Sequence, residues 1–137
     1  MGCAEVKYLL DTHILVWWFL DHPDLPKKYA ELLDSLESQA NEVSVSVISL
    51  WEIAKLVQRG KITASISIDD WLAQLESDPW IQIIPLESKI ISESMRLPET
   101  FPSDPADQII AATARCRQLQ LLTCDKRIIQ SKIVAIA

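Results

Sequence analysis

Glycine is nearly absent: only Gly2 and Gly60 occur in 137 residues. A Walker phosphate loop needs a glycine-rich backbone cradle and a dinucleotide turn needs GxGxxG, so both are excluded. Nucleotide cofactors are poor candidates for that reason. Cysteine is scarce too, and Cys3, Cys116 and Cys124 form no CxxC pair. An odd number of thiols without metal-ligand spacing suggests neither a disulfide framework nor a zinc cage, and reduced, mostly buried thiols are expected. The longest unbroken apolar run covers residues 14–20, far below the roughly 20 residues that cross a bilayer. Glu5, Lys7, Asp11 and His13 interrupt the N-terminal apolar stretch, which argues against a cleaved signal. Met1-Gly2 opens like a myristoylation site, yet Val6 stands where Ser or Thr is required. No membrane attachment and a cytoplasmic location are expected. Positive charge is in deficit as well, with 13 Lys and Arg against 19 Asp and Glu and a net charge of −6. That balance is unusual for a protein that meets nucleic acid, unless a bound divalent cation reverses the sign locally.

What remains is the make-up of one folded domain over residues 1–137, with 49% hydrophobic and 23% charged residues. The mean hydropathy of +0.13 is slightly oily, as if a partner covers part of the surface. There is no internal repeat, low-complexity tract or linker. Residues 6–10 form a short apolar run that reads as a strand, and residues 13–20 after Asp11-Thr12 read as a helix. Pro26 suits a first helical position, with Tyr29, Leu32, Leu33 and Leu36 on one face up to about Ser38. Val43, Val45 and Val47 alternate with serines as in a strand, and a helix opened by Ser49-Leu50-Trp51-Glu52 is closed by Gly60. Helices over residues 69–77 and 87–97 flank a strand over 80–85. Pro98, Pro102 and Pro105 enforce a loop, and a helix from Asp104 to about Leu119 precedes a strand over 120–123. A last strand is expected over 133–136. Strands alternating with helices imply crossover connections, hence a mostly parallel sheet covered on both faces.

Each acid in this pattern has an ordinary explanation. Asp11, Asp104 and Asp125 suit helix caps, Asp107 favours the positive end of a helix dipole, and Glu52 completes the capping box Ser49-x-x-Glu52. Jointly they say more. All five precede or begin helices, and in a parallel sheet the strand ends and helix starts share one edge, where ligands bind. Carboxylates gathered there repel one another unless a cation neutralises them, and a hard divalent ion suits such oxygen donors. That arrangement favours phosphodiester chemistry with a metal-activated water.

Four blocks carry a resemblance to a known family. They are Leu9-Leu10-Asp11-Thr12-His13-x-x-x-Trp17-Trp18, Ser46-x-x-Ser49-x-Trp51-Glu52-Ile53-x-Lys55, Asp104-Pro105-x-Asp107-x-x-Ile110-x-Ala112 and Thr123-x-Asp125. In order and spread they resemble PIN-domain proteins, most closely the VapC-type toxins of toxin–antitoxin pairs. The resemblance implies a three-layer α/β/α fold with a mostly parallel central sheet and an endoribonuclease that depends on Mg²⁺ or Mn²⁺. By motif position the catalytic acids are Asp11, Glu52, Asp107 and Asp125. Asp11, Asp107 and Asp125 hold the metal directly or through water, with Asp104 as an accessory, and Glu52 orients water or serves as base. The implied partners are an RNA substrate, a cognate VapB-like antitoxin and a second copy of the chain. Relatives often carry a basic pair before the Asp104 position and an Arg after the Asp107 position. Here Phe101-Pro102-Ser103 and Gln108 stand instead, removing two potential phosphate contacts, and Ser131-Lys132 occupies a place where an aromatic is common.

Other residues have competing readings. His13 is an ordinary helix-start residue without a serine motif to accompany it. Trp17, Trp18, Trp51, Trp71 and Trp80 can stack bases, but apolar neighbours at helical spacing make most of them core or partner-facing. Lys55 lies one turn below Glu52 and is expected to pair with it. Arg59, Lys61, Arg115, Arg117, Lys126 and Arg127 can line an RNA path, with scattered surface charge as the plainer account. Two rival functions are a phospho-acceptor signalling domain, which also places aspartates at strand ends, and a catalytically inactive PIN-like scaffold that binds RNA or protein.

Overall fold

Four short strands, β1 (Tyr8–Leu10), β2 (Val43–Ser46), β3 (Ile81–Ile84) and β4 (Gln120–Leu122), pair in parallel in the order β3-β2-β1-β4. The structure is a computed structural model that describes residues 7–37 and 43–137. Leu10 and Leu122 point into one buried cluster, whereas Leu9 and Leu121 point into another. Successive strand residues face opposite ways, so apolar residues in succession require cover on both sides.

The helices supply that cover. The first cluster takes Ile14 and Leu15 from α1 (Thr12–Phe19), Tyr29 and Leu33 from α2 (Lys27–Leu36), Leu50 and Ile53 from α3 (Val47–Gln58), and Trp71 and Leu75 from α4 (Ile68–Ser77). The second takes Ile90 from α5 (Ser88–Ser94), Ile110 and Ala111 from α6 (Pro105–Arg117), and Ile128 from α7 (Lys126–Ser131). The result is the expected three-layer α/β/α arrangement. From β1 the chain moves outward through β2 to β3 and then returns to place β4 on the other side of β1. The carboxyl ends of β1 and β4 therefore flank the point where the strand order reverses, the usual place for a ligand crevice. No helix of the described residues is long and apolar enough to cross a membrane.

Several boundaries differ from the pattern expected of the sequence. Val47 is the first residue of α3 rather than the end of a strand, because Ser46 takes the cap and its hydroxyl accepts from the Ile48 N–H at 3.2 Å. Pro26 is the cap of α2 rather than its first helical residue. The helix expected over 87–97 stops at Ser94, and the last strand is reduced to a single bridge between Leu121 and Ile136. The expectations for Cys3, for Val6 and for the helix end near Ser38 lie outside the described residues. Gly60 does close α3, at a φ of +71° that a side chain would strain.

The core beside α1 is aromatic. Trp71 is fully buried and stacks on Phe19 at 4.3 Å between ring centroids, and Trp18 meets Trp80 edge-on at 4.6 Å. The Trp71 indole N–H finds no hydrogen-bond partner among the described residues. Trp71→Ala is therefore expected to cost about 3–5 kcal/mol in urea denaturation. Trp71→Phe is expected to cost much less, because it keeps the stacked ring and removes the unpaired donor.

Candidate active site

Asp11 leaves the carboxyl end of β1 and caps α1. It is 3% exposed, and both carboxylate oxygens are engaged. Oδ1 accepts from the Thr12 N–H at 2.9 Å, and Oδ2 accepts from the Thr123 hydroxyl at 2.7 Å. Thr123, just beyond β4, also accepts from the Asp125 N–H at 3.0 Å. One hydroxyl thus joins two acids that are more than a hundred residues apart in the chain. His13 braces the same junction: its Nε2 accepts from the Cys124 N–H at 3.0 Å, which places the ring proton on Nδ1, 3.5 Å from Asp11 Oδ2. Its position is structural, as the helix-start reading anticipates.

Glu52 does not complete a capping box. With Ser46 as cap, Ser49 is inside α3 and Glu52 lies in the second turn, too far along to reach back to the cap N–H. Its carboxylate instead takes a short hydrogen bond from the Thr12 hydroxyl. The Thr12 proton is spent on Glu52, so the Ser49 hydroxyl, 2.9 Å away and fully buried, donates to Thr12. Thr12 and Thr123 are positioning residues that sequence reasoning left without roles, and Ser49, expected as the helix cap, is instead a third. Their one signal was adjacency to an acid within each motif block.

The remaining acids come from helix starts on the same edge. Asp104 caps α6, its Oδ1 accepting from the Ala106 and Asp107 N–H groups at 2.9 and 3.1 Å. Asp125 caps α7 through the Arg127 N–H at 2.9 Å. Asp107, in the first turn of α6, is left for the site. Its Oδ2 lies 4.0 Å from Arg127 Nη2, which is also 3.5 Å from Asp125 Oδ2. Arg127 is thus a counter-ion shared by two of the acids.

Crowding leaves its mark on proton affinity. Burial, and then the charges of Asp11, Asp104, Asp125 and Glu52, push the Asp107 carboxyl up to about 7 from an ordinary 3.8. Burial raises Glu52 as well, opposed by the Thr12 hydroxyl and reinforced by Asp104 and Asp11. Among the described residues no three carboxylate, imidazole or thiol groups close on a common point as an ion cage. The acids are gathered within electrostatic reach but are held back by their caps and hydroxyl partners. All-oxygen donors around an under-neutralised Asp107 fit a hydrated Mg²⁺ or Mn²⁺, which keeps several waters and needs only one or two direct carboxylates.

Two openings meet here. One, of about 330 Å³, is lined by Asp11, His13, Trp17, Glu52, Lys61 and Asp107. The other, of about 350 Å³, is lined by Trp51, Glu52, Lys55, Arg59 and Asp104. Lys55 does not pair with Glu52 as expected; its Nζ sits 5.5 Å above the Trp51 ring. Arg115 and Arg117 are drawn off to Glu93 and Glu87, each at 2.7 Å, toward the far end of α6, so they line no path here. Phe101, in place of a basic pair, is buried in the core, and Gln108 Nε2 donates to the Pro102 carbonyl at 3.1 Å, fastening the proline loop. Cys116 and Cys124 are free and half-buried.

The elevated Asp107 carries a measurable cost. Its folded proton affinity exceeds the unfolded one, so its stabilising protonation is complete below about pH 3.8 and is lost as pH rises through about 7. Each pH unit in that window is worth at most about 1.4 kcal/mol. Metal-free Asp107→Asn is expected to melt several degrees above the wild type at pH 8, with the gap shrinking by more than half at pH 5. Thermal denaturation in a chelator checks both.

A family model described as the PIN domain matches residues 8–133. Ribonuclease VapC22 of Mycobacterium tuberculosis (strain ATCC 25618 / H37Rv) is 31% identical over 120 residues, 88% of each chain. Among solved structures, VapBC2 from Rickettsia felis bound to a DNA fragment from their promoter matches with a TM-score of 0.72 at 21% identity, covering 96% of this chain and 98% of that one. DNA-bound VapBC from Salmonella typhimurium matches with a TM-score of 0.70 at 18% identity, covering 97% and 98%. With the motif blocks and the three-layer fold in agreement with the family match, the chain belongs to the PIN-domain family.

Proposed function

We propose that this chain is a metal-dependent endoribonuclease and the toxin of a toxin–antitoxin pair, acting in the cytoplasm. The observation that carries the reading is Asp107 surrounded by four other acids at the carboxyl edge of the sheet. A relative named as a ribonuclease, and structural neighbours described as toxin–antitoxin complexes, support it from outside the chain.

In this reading Asp11, Asp107 and Asp125 hold Mg²⁺ or Mn²⁺ directly or through water, and Asp104 assists. The chemistry supplied by the bound ion is charge neutralisation at the scissile phosphate and acidification of a water. Asp11 contributes a carboxylate whose orientation Thr123, His13 and the Thr12 N–H fix in advance. Glu52, held by Thr12, orients the attacking water and receives its proton; burial raises its proton affinity, which favours that role. A VapB-like antitoxin would silence the site by presenting a basic side chain to the acids. A second copy of the chain would cover exposed apolar residues such as Ile91 on α5 and Met95 at its cap.

Asp11→Asn and Asp107→Asn are each expected to cut RNA cleavage by roughly a hundredfold or more and to abolish growth inhibition on induced expression. If both variants cleave like the wild type, the assignment fails. Millimolar Mn²⁺ should raise the melting temperature of the wild type at pH 8 but not that of Asp107→Asn, which separates ion binding from turnover. Light scattering is expected to give the mass of a dimer. Acetyl phosphate is expected not to label Asp11, whose oxygens are buried and engaged, against the phospho-acceptor alternative.

A further inference from the structure

Trp51 is 57% exposed, whereas Trp71 and Trp80 are buried and Trp17 and Trp18 are half-buried. A large aromatic ring left in water on a rigid helix needs an explanation beyond packing. Lys55 and Arg59, the residue that caps α3, follow it at i+4 and i+8, forming a stripe about 12 Å long. Among the described residues neither cation has a carboxylate partner; Lys55 lies against the Trp51 ring instead. The helix C-terminus favours cations at these positions, but it does not account for the exposed ring. All three side chains line the 350 Å³ groove, and Glu52 and Leu56 line both that groove and the acid pocket, so the two openings are continuous. Lys61, on the acid-pocket side, is likewise without an ion pair among the described residues.

We infer that this groove is a binding track for single-stranded RNA, in which Trp51 stacks a base next to the scissile position and Lys55 and Arg59 contact the flanking phosphates. The inference rests on the ribonuclease reading and adds to it the surface that holds the strand. The pairing of an aromatic face with unpaired cations matches the two faces of a nucleotide, a flat base and an anionic phosphate. A second copy of this chain, the other occupant an exposed tryptophan suggests, has no need of a cationic stripe leading into an acid pocket.

The test is binding of a fluorescein-labelled single-stranded oligoribonucleotide of mixed sequence to the full chain, by anisotropy in a chelator so that no cleavage intervenes. Trp51→Ala should weaken binding about tenfold, and Trp51→Phe, which keeps a stacking ring, should stay within about threefold. The double variant Lys55→Ala/Arg59→Ala should reduce the slope of log affinity against log salt by about two. Light scattering of all variants should match the wild type. A Trp51→Ala chain that binds as tightly as the wild type overturns the track, and so does one whose mass changes, which would make the face a contact between copies. A wild-type chain that neither binds nor cleaves RNA overturns the ribonuclease reading itself, whereas one that cleaves but is indifferent to Trp51 overturns only the track.

Discussion

The hydrogen bond from the Thr123 hydroxyl to Asp11 sets the geometry of everything at the carboxyl edge of the sheet. Parallel pairing of β1 and β4 ends at Leu10 and Leu122, with a last backbone bond from the Asp11 N–H to the Leu122 carbonyl at 3.0 Å. Thr123 extends the connection through a side chain: it donates to the Asp11 carboxylate and accepts from the Asp125 N–H, so the start of α7 is tied to the start of α1. The Asp11 carboxylate is buried, and a buried charge left unpaired is far more costly than one with its hydrogen bonds made. The bond therefore serves the fold and the site at once. His13, spanning from Asp11 to the Cys124 N–H, closes the same joint from the α1 side.

With that joint in place, the other acids have little freedom to avoid one another. Asp104 and Asp107 arrive together because α6 runs antiparallel to the strands and starts at the edge where they end. Glu52 is brought in from α3 by Thr12, the residue after Asp11. The fold satisfies Asp104 and Asp125 with backbone N–H groups and Asp11 with a hydroxyl, leaving Asp107 as the acid whose ionised form burial and its neighbours' charges disfavour most. Arg127 offsets part of that penalty at 3.5 to 4.0 Å. The strain is electrostatic and is relieved by protonation, and the apolar clusters on both faces of the sheet offset its cost.

The sequence made the architecture legible wherever a periodic apolar pattern met a strong punctuating residue. Asp11 before α1, Pro105 inside α6 and Gly60 after α3 each marked a boundary that the structure keeps. Where two residues of equal capping ability stood close together, the sequence left a choice that only packing resolved. Ser46 and Ser49 are both good caps, and the valine alternation favoured a longer strand; the helix starts early because β2 pairs with β1 and β3 only as far as Ser46. That shift of one turn takes Glu52 from a cap partner to a pocket residue. Lys55 was assigned to Glu52 by spacing alone, which sees one helix at a time; Thr12, from another helix, had already taken the acid. The roles of Thr12 and Thr123 were illegible for the same reason, and Ser49 was legible only as a cap, since a hydroxyl gains meaning from the partner that folding places beside it.

Net charge is the point at which sequence-level reasoning is most easily misled. A balance of −6 describes a uniform surface, and this surface is not uniform. Glu93 and Glu87 neutralise Arg96, Arg115 and Arg117 around α5 and the distal end of α6, and that side of the molecule has little field left to offer a polyanion. Along α3 Lys55 and Arg59 have no carboxylate partner among the described residues, although the acid pocket adjoins them. Screening limits interactions between exposed charges to about 8–10 Å at physiological salt, so the field along α3 is set by Lys55 and Arg59 more than by acids on the far side of the sheet. A net charge of −6 is therefore compatible with a local field of the opposite sign, provided that the cations of that patch are left unpaired within one screening length of one another.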